Sequence, residues 1–121
     1  MAIKRILIVD DSPTERAAFQ EILSEAGYET LLAASGEEGI ALAKSEKPDA
    51  IIMDVVMPGL NGFQATRQLA RDEATRAIPV IMCTTKGQET DKIWGLRQGA
   101  IAYLVKPVDR ATLLDALKQL G

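Results

Sequence analysis

Histidine is absent from this chain of 121 residues, and cysteine occurs once, at Cys83. The first absence removes Ser-His-Asp and Cys-His catalysis and histidine-ligated zinc. The second removes a disulfide framework and makes a reducing cytoplasm the expected location. No basic run is longer than Lys4-Arg5, and the net charge is -3, so nucleic acid is not an expected direct partner. The longest apolar runs are about five residues, against roughly 20 needed for a bilayer crossing, so no membrane insertion is expected. The N-terminus enters a strand-like run directly, without the apolar segment and cleavage site of a signal peptide. Repeats, linkers and low-complexity segments are also missing.

What is present is the balance of a soluble globular protein, 47% hydrophobic and 26% charged. The length suits one domain over residues 1–121. Five short apolar runs predict strands at Arg5–Val9, Glu29–Ala33, Ala50–Met53, Val80–Cys83 and Ala102–Val105. Most are nearly continuous in apolar residues, as in parallel strands covered on both faces. Helical patterns alternate with them. Ser12-Pro13-Thr14-Glu15 reads as a capping box with proline at the first helical position, and Ser35-Gly36-Glu37-Glu38 as a second box. Phe19, Ile22, Leu23 and Ala26 form one helical face before Gly27. Asn61 can cap a third helix to about Ala70. A fourth runs from about Gln88 to Gln98, and a fifth follows Asp109, with Leu113, Ala116, Leu117 and Leu120 on one face. The alternation implies an α/β fold, (βα)5, with parallel strands, right-handed crossovers and the order 2-1-3-4-5. Ligands should then bind outside the carboxyl ends of the strands.

The residues that follow the apolar runs are Asp10-Asp11, Asp54, Thr84-Thr85 and Lys106-Pro107. In a parallel sheet they share one edge. Close carboxylates repel by about 4 kcal/mol per pair at 4 Å and an effective dielectric of 20. Lys106 is expected to offset only part of this, so the site should hold a cation or raise a carboxylate pKa. Oxygen-only ligands favour Mg²⁺. With a hard cation beside it, Asp54 can serve as a carboxylate nucleophile toward phosphorus. Lys106 and a threonine hydroxyl would then meet the phosphoryl oxygens. An aspartate after a strand is often only a turn or cap residue. Ser12 already caps the first helix, however, so a structural role explains neither Asp10 nor Asp11. Thr85 and Cys83 read as packing residues, Met53, Met57 and Met82 as core or loop filling, and Trp94 as core edge or partner face.

Val9-Asp10-Asp11-Ser12, Met53-Asp54-Val55-Val56-Met57-Pro58-Gly59, Thr84, and Tyr103-Leu104-Val105-Lys106-Pro107 together resemble the response-regulator receiver family over the whole chain. The resemblance implies a flavodoxin-like doubly wound fold. It also implies Mg²⁺ held by Asp10, Asp11, Asp54 and the backbone carbonyl of Val56, with Asp54 accepting a phosphoryl group from a histidine kinase. Thr84 and Lys106 would bind that group, Tyr103 would be the switch aromatic, and the Lys106-Pro107 bond would be cis. The stretches Met57 to Leu69 and Thr84 to Gly95 look like PilH-type regulators of twitching motility, from chemotaxis-like systems controlling type IV pili.

Two positions depart from the common receiver pattern: Val56 replaces a polar side chain and Lys86 an acid. Both flank the path of the hydrolytic water, which implies slow self-hydrolysis. No effector segment follows Leu120, so output is expected through protein contact, by way of helix 4, strand 5 and helix 5. The reading is a phosphoacceptor switch rather than an enzyme. Two alternatives stay open: a phosphate sink for a sibling receiver, and a Mg²⁺-dependent phosphohydrolase of the haloacid-dehalogenase kind. The latter wants Asp-x-Asp on its first strand and an inserted cap. A flavin site is disfavoured by the acidic Asp10-Asp11 loop.

Overall fold

A computed structural model describes residues 3–120. Strands β1 (Arg5–Val9), β2 (Glu29–Ala33), β3 (Ala50–Met53), β4 (Val80–Thr84) and β5 (Ala102–Val105) alternate with helices. These are α1 (Pro13–Glu25), α2 (Gly36–Glu46), α3 (Gly62–Arg71), α4 (Glu89–Gln98) and α5 (Arg110–Lys118). The strands form one parallel sheet in the order β2-β1-β3-β4-β5.

Alternate residues of each strand face opposite layers, so the central strands have no solvent side and their apolar runs need no polar interruption. On one face Ile6, Ile8, Ala50, Ile52, Ile81 and Cys83 pack with Phe19 and Leu23 of α1 and Leu113 and Leu117 of α5. On the other, Leu7, Val9, Ile51, Met53 and Val80 pack with Ala43 of α2 and Ala65 and Leu69 of α3. Each fully buried Ile or Leu contributes roughly 1.5–3 kcal/mol of transfer free energy, so these two layers fix the sheet. Helix α4 buries the fewest residues of the five. Its only buried residue is Gly95, where an added Cβ would lie 2.8 Å from both Met82 Sδ and the Tyr103 ring. Glycine there lets the helix backbone approach the sheet.

The caps are less regular than their sequence pattern. Asn61 and Gln64 close a reciprocal box, with Asn61 Oδ1 accepting from Gln64 N at 2.9 Å and Gln64 Oε1 from Asn61 N at 3.0 Å. Ser12 Oγ accepts from Glu15 N at 3.3 Å, but Ser12 N donates to Asp10 Oδ1 instead of Glu15. Ser35 Oγ accepts from Glu38 N, while the Glu38 carboxylate reaches one residue too far back, to Ala34 N at 2.6 Å. Ala26 is exposed as the C-cap of α1 rather than part of its apolar face. Strand β4 runs one residue further than its apolar run, because Thr84 pairs with Val105 of β5. No helix among the described residues is long and apolar enough to cross a membrane.

Candidate functional site

The end of β1 is locked to β3 on one side and β2 on the other before the side chains act. Asp54 N donates to Val9 O at 2.9 Å and Asp10 N to Ala33 O at 3.1 Å. The segment after β3 is pinned from below by α3: Gly62 N donates to Val55 O at 2.9 Å, and an added Cβ at Gly62 would lie 2.0 Å from Asp54 O. Only a residue without a side chain fits there. Across the sheet, Lys106 N donates to Thr84 O at 2.8 Å, and the Lys106-Pro107 bond is cis, as the family resemblance implied.

These supports bring Asp10, Asp11 and Asp54 together, with one carboxylate oxygen of each within 4.8 Å of the others. Asp10 and Asp54 are buried and Asp11 is exposed. Lys106 Nζ lies 2.7 Å from Asp10 Oδ2, 3.3 Å from Glu15 Oε1 and 3.8 Å from Asp54 Oδ2. It also sits 5.8 Å from the centre of the Phe19 ring, within cation–π range. Asp54 Oδ1 accepts from Val55 N at 2.8 Å, which fixes the carboxylate. Arg16 Nη1 donates to Asp10 O at 2.7 Å.

Burial pushes the Asp54 carboxyl above its ordinary pKa; Lys106 pulls it back and the Asp10 charge adds to the rise. Burial alone would lower the Lys106 ammonium, but the Asp10 contact and the Asp54 charge outweigh it, and its pKa is raised. At a dielectric of 20, a carboxylate pair within 4.8 Å repels by at least about 3.5 kcal/mol, so three pairs amount to about 10 or more. Lys106 at 2.7 Å and 3.8 Å from two of them attracts by about 6 and 4 kcal/mol. Lys106 therefore offsets a large part of this repulsion but not all of it, as expected, and it reaches only two of the three carboxylates. A net charge of -2 still remains on Asp10, Asp11, Asp54 and Lys106, aimed into a site whose donors are all hard oxygens. That donor set fits a small divalent cation and not zinc.

Asp10 also has a structural task that the sequence reading denied it, since its Oδ1 accepts from Ser12 N at 3.0 Å and closes the turn into α1. Thr84 is fully buried, and its Oγ1 accepts from Lys86 N at 3.3 Å. Tyr103 is 8% exposed and donates its hydroxyl to Lys86 O at 2.6 Å. Burial pushes this phenol up to about 12. Lys86 thus bridges Thr84 to Tyr103 through its backbone, a role its side chain does not announce. Val56 is exposed and lines, with Val55, Met57, Asn61, Phe63 and Lys86, an open cavity of about 390 Å³. Lys86 Nζ lies 3.8 Å from Asp91. Thr85 is exposed rather than packed. Cys83 is buried as expected, its thiol pushed up to about 12 by desolvation. Trp94 is half exposed. Glu15, Arg16 and Phe19 were not read as site residues; the Ser-x-x-Glu pattern offered a sufficient local reason for Glu15.

The sequence model described as response regulator receiver domain matches residues 6–118. The chain is 62% identical to the protein PilH of Pseudomonas aeruginosa over 113 residues, covering 93% of both chains. It is 43% identical over 118 residues to the phosphate regulon transcriptional regulatory protein PhoB of the same species, covering 98% of this chain and 52% of PhoB. Among solved structures, the chemotaxis protein CheY4 of Vibrio cholerae superposes with a TM-score of 0.91 at 36% identity, covering 99% of this chain and all of that one. The receiver domain of a Pseudomonas aeruginosa sensor histidine kinase, solved with a magnesium ion coordinated in its active site cleft, gives 0.90 at 34% identity, covering 98% of each.

Proposed function

The chain belongs to the response regulator receiver domain family, and on that premise we propose that it accepts a phosphoryl group from a histidine kinase onto Asp54 in a Mg²⁺-dependent reaction. The observation that carries this is the meeting of Asp10, Asp11, Asp54 and Lys106 at one sheet edge, with Asp54 buried and held by Val55 N. Receiver domains are signalling proteins that take phosphate from histidine kinases and bind downstream proteins.

In the proposed step an Asp54 carboxylate oxygen attacks the phosphorus of a phosphohistidine. The P–N bond breaks, its electron pair returns to the imidazole, which takes up a proton, and an acyl phosphate forms. Lys106 sits beside the attacked position and neutralises the transferred oxygens. The Thr84 hydroxyl accepts from Lys86 N and lies close enough to Asp54 for its proton to favour the carboxylate, so the same proton is placed to donate to a phosphoryl oxygen on Asp54. Asp10, Asp11, Asp54 and the Val56 carbonyl would hold Mg²⁺, which supplies charge neutralisation to the same oxygens.

Output follows from the Lys86 bridge. A Thr84 hydroxyl drawn to the phosphoryl group loosens its hold on Lys86 N, and Lys86 O is the acceptor of Tyr103, whose ring supports Gly95 of α4. Helix α4 buries only Gly95, so a shift of this helix would cost little apolar burial. Ile93, Leu96, Ile101 and Val105 are each 41–49% exposed on the α4–β5–α5 side, apolar surface suited to docking a partner. The proposal includes a single receiver domain over residues 1–121, acting in the cytoplasm as a stand-alone phosphoacceptor switch rather than a turnover enzyme. Its pathway would be chemotaxis-like and control type IV pilus motility. Similarity to PilH over 93% of both chains supports the stand-alone receiver and the pilus pathway. The apolar Val56 and cationic Lys86 favour slow self-hydrolysis.

The test is incubation with acetyl phosphate and Mg²⁺, read by intact mass, followed by capture of partners from a lysate of the source organism with and without the phosphodonor. One phosphoryl adduct, abolished by chelator and by Asp54→Asn, is expected, with phosphorylation-dependent capture. An adduct without any such capture would make the protein a phosphate sink. Multiple turnover on small phosphate esters would make it a hydrolase.

A further inference from the structure

Sequence pattern and structure disagree about Glu15. At the third position of α1, behind Ser12, it should turn back to cap Ser12 N. It does not: Ser12 N is taken by Asp10 Oδ1, and Glu15 Oε1 lies 3.3 Å from Lys106 Nζ. The Lys106 side chain is 9% exposed and the Glu15 side chain 40%, so Glu15 closes over the ammonium from the solvent side. Arg16, the next residue, anchors the same turn of α1 to Asp10 O at 2.7 Å. With Asp10 at 2.7 Å and Glu15 at 3.3 Å, Lys106 stays 3.8 Å from Asp54 Oδ2, beyond hydrogen-bond reach.

We propose that Glu15 is a positioning residue that holds Lys106 at the mouth of the acidic pocket and competes for it with the phosphoryl group on Asp54. To meet phosphoryl oxygens on Asp54, the ammonium must turn away from Glu15, and the Glu15 charge also faces the incoming anion. Glu15 therefore weakens phosphoryl retention, and its release frees a carboxylate at the first turn of α1, where the helix dipole favours it. The inference rests on phosphoryl transfer to Asp54.

The experiment titrates beryllofluoride, a phosphoryl mimic, in the presence of Mg²⁺ by isothermal calorimetry. The proteins compared are wild type, Glu15→Gln and a control, Glu21→Gln. Glu21 is exposed on α1 and makes no ion pair among the described residues, so the control removes the same charge from the same helix. Glu15→Gln should bind about 3- to 10-fold more tightly at low salt, the scale of one partly exposed ion pair plus relief of repulsion, and the gain should shrink at high salt. Glu21→Gln should stay within about 1.5-fold of wild type, given its exposure. In the metal-free protein, ammonium protons of Lys106 followed by ¹⁵N NMR should exchange with water faster in Glu15→Gln. Unchanged or weaker binding, an equal gain in the Glu21 variant, or unchanged ammonium exchange would each overturn the proposal. Failure of wild type to bind beryllofluoride at all would sink the phosphoacceptor reading itself, and the Glu15 proposal with it.

Discussion

Replacing Asp54 with asparagine should stabilise the metal-free protein. The amide keeps the shape and can still accept from Val55 N, which now holds Asp54 Oδ1 at 2.8 Å. It removes a buried charge lying within 4.8 Å of two other carboxylates. At a dielectric of 20, each of those neighbours repels Asp54 by about 3.5 kcal/mol, less for Asp11 because it is exposed. Lys106 at 3.8 Å returns about 4 kcal/mol. With the desolvation cost of the buried carboxylate still unfavourable, the net relief on removing the charge is about 2 kcal/mol. A domain of 121 residues unfolds with an entropy near 0.25 kcal/mol/K, so the melting temperature should rise by roughly 8 °C. The effect has a pH signature. The folded-state pKa of Asp54 is raised above 3.8, so its contribution to stability is full below that value and is lost as pH rises through the raised pKa. The advantage of Asp54→Asn should therefore be small near pH 4 and complete at pH 7. Thermal unfolding in chelator at both pH values measures it. A variant no more stable than wild type at pH 7, or an advantage that grows toward acid, would refute the electrostatic account. Adding Mg²⁺ to ten times its dissociation constant should stabilise wild type by about 1.4 kcal/mol, and the variant by less.

Gly62→Ala forces a Cβ to within 2.0 Å of Asp54 O, so it should cost about 3 kcal/mol or more in a urea titration; a cost under 1 kcal/mol would show that the segment after β3 is not pinned. Thr66 is 1% exposed and its hydroxyl has no partner among the described residues, so Thr66→Val should gain about 1 kcal/mol, and a loss in the same titration would mean the hydroxyl has a partner. Asp49 Oδ2 accepts from Lys4 N and Arg5 N, both at 2.9 Å, and these bonds hold its pKa below 3.8. Its stabilisation is present above the ordinary aspartate value and lost as pH falls through the lowered one. Asp49→Asn should therefore cost about 1 kcal/mol at pH 7 and progressively less below pH 4, and a pH-independent cost would exclude the charge as its origin. Val56→Asn should shorten the lifetime of the phosphorylated protein several-fold, measured by loss of the adduct mass; an unchanged lifetime would remove Val56 from the hydrolytic path.

The central strands were legible because burial on both faces leaves few polar positions, and Ile6 to Val9 of β1 and all of β3 read as unbroken apolar runs. The site was legible for a related reason: a parallel sheet carries all its strand ends to one edge, so Asp10, Asp54, Thr84 and Lys106 converge without any long-range information. Where the reading failed, the deciding partner was distant or the local choice degenerate. Glu15 was assigned to a cap three residues away because nothing local reveals Lys106, far along the chain and 3.3 Å distant in space. Asp10 was denied a turn role because Ser12 filled the cap, yet a carboxylate has two oxygens, and Ser12 N and Lys106 each take one. Thr85 follows a buried strand directly, but β4 ends at Thr84 and the chain then turns outward. The Lys86 bridge was invisible because it is made by backbone atoms.

The central claim is covalent, and its most direct measurement reads the covalent bond. After incubation with acetyl phosphate and Mg²⁺, borohydride reduction converts an aspartyl phosphate to homoserine with release of phosphate, and peptide sequencing by mass spectrometry locates it. The account predicts homoserine at position 54 alone, absent when chelator replaces Mg²⁺. Homoserine at position 10 or 11, or an unmodified Asp54 under conditions that phosphorylate a known receiver, would contradict it.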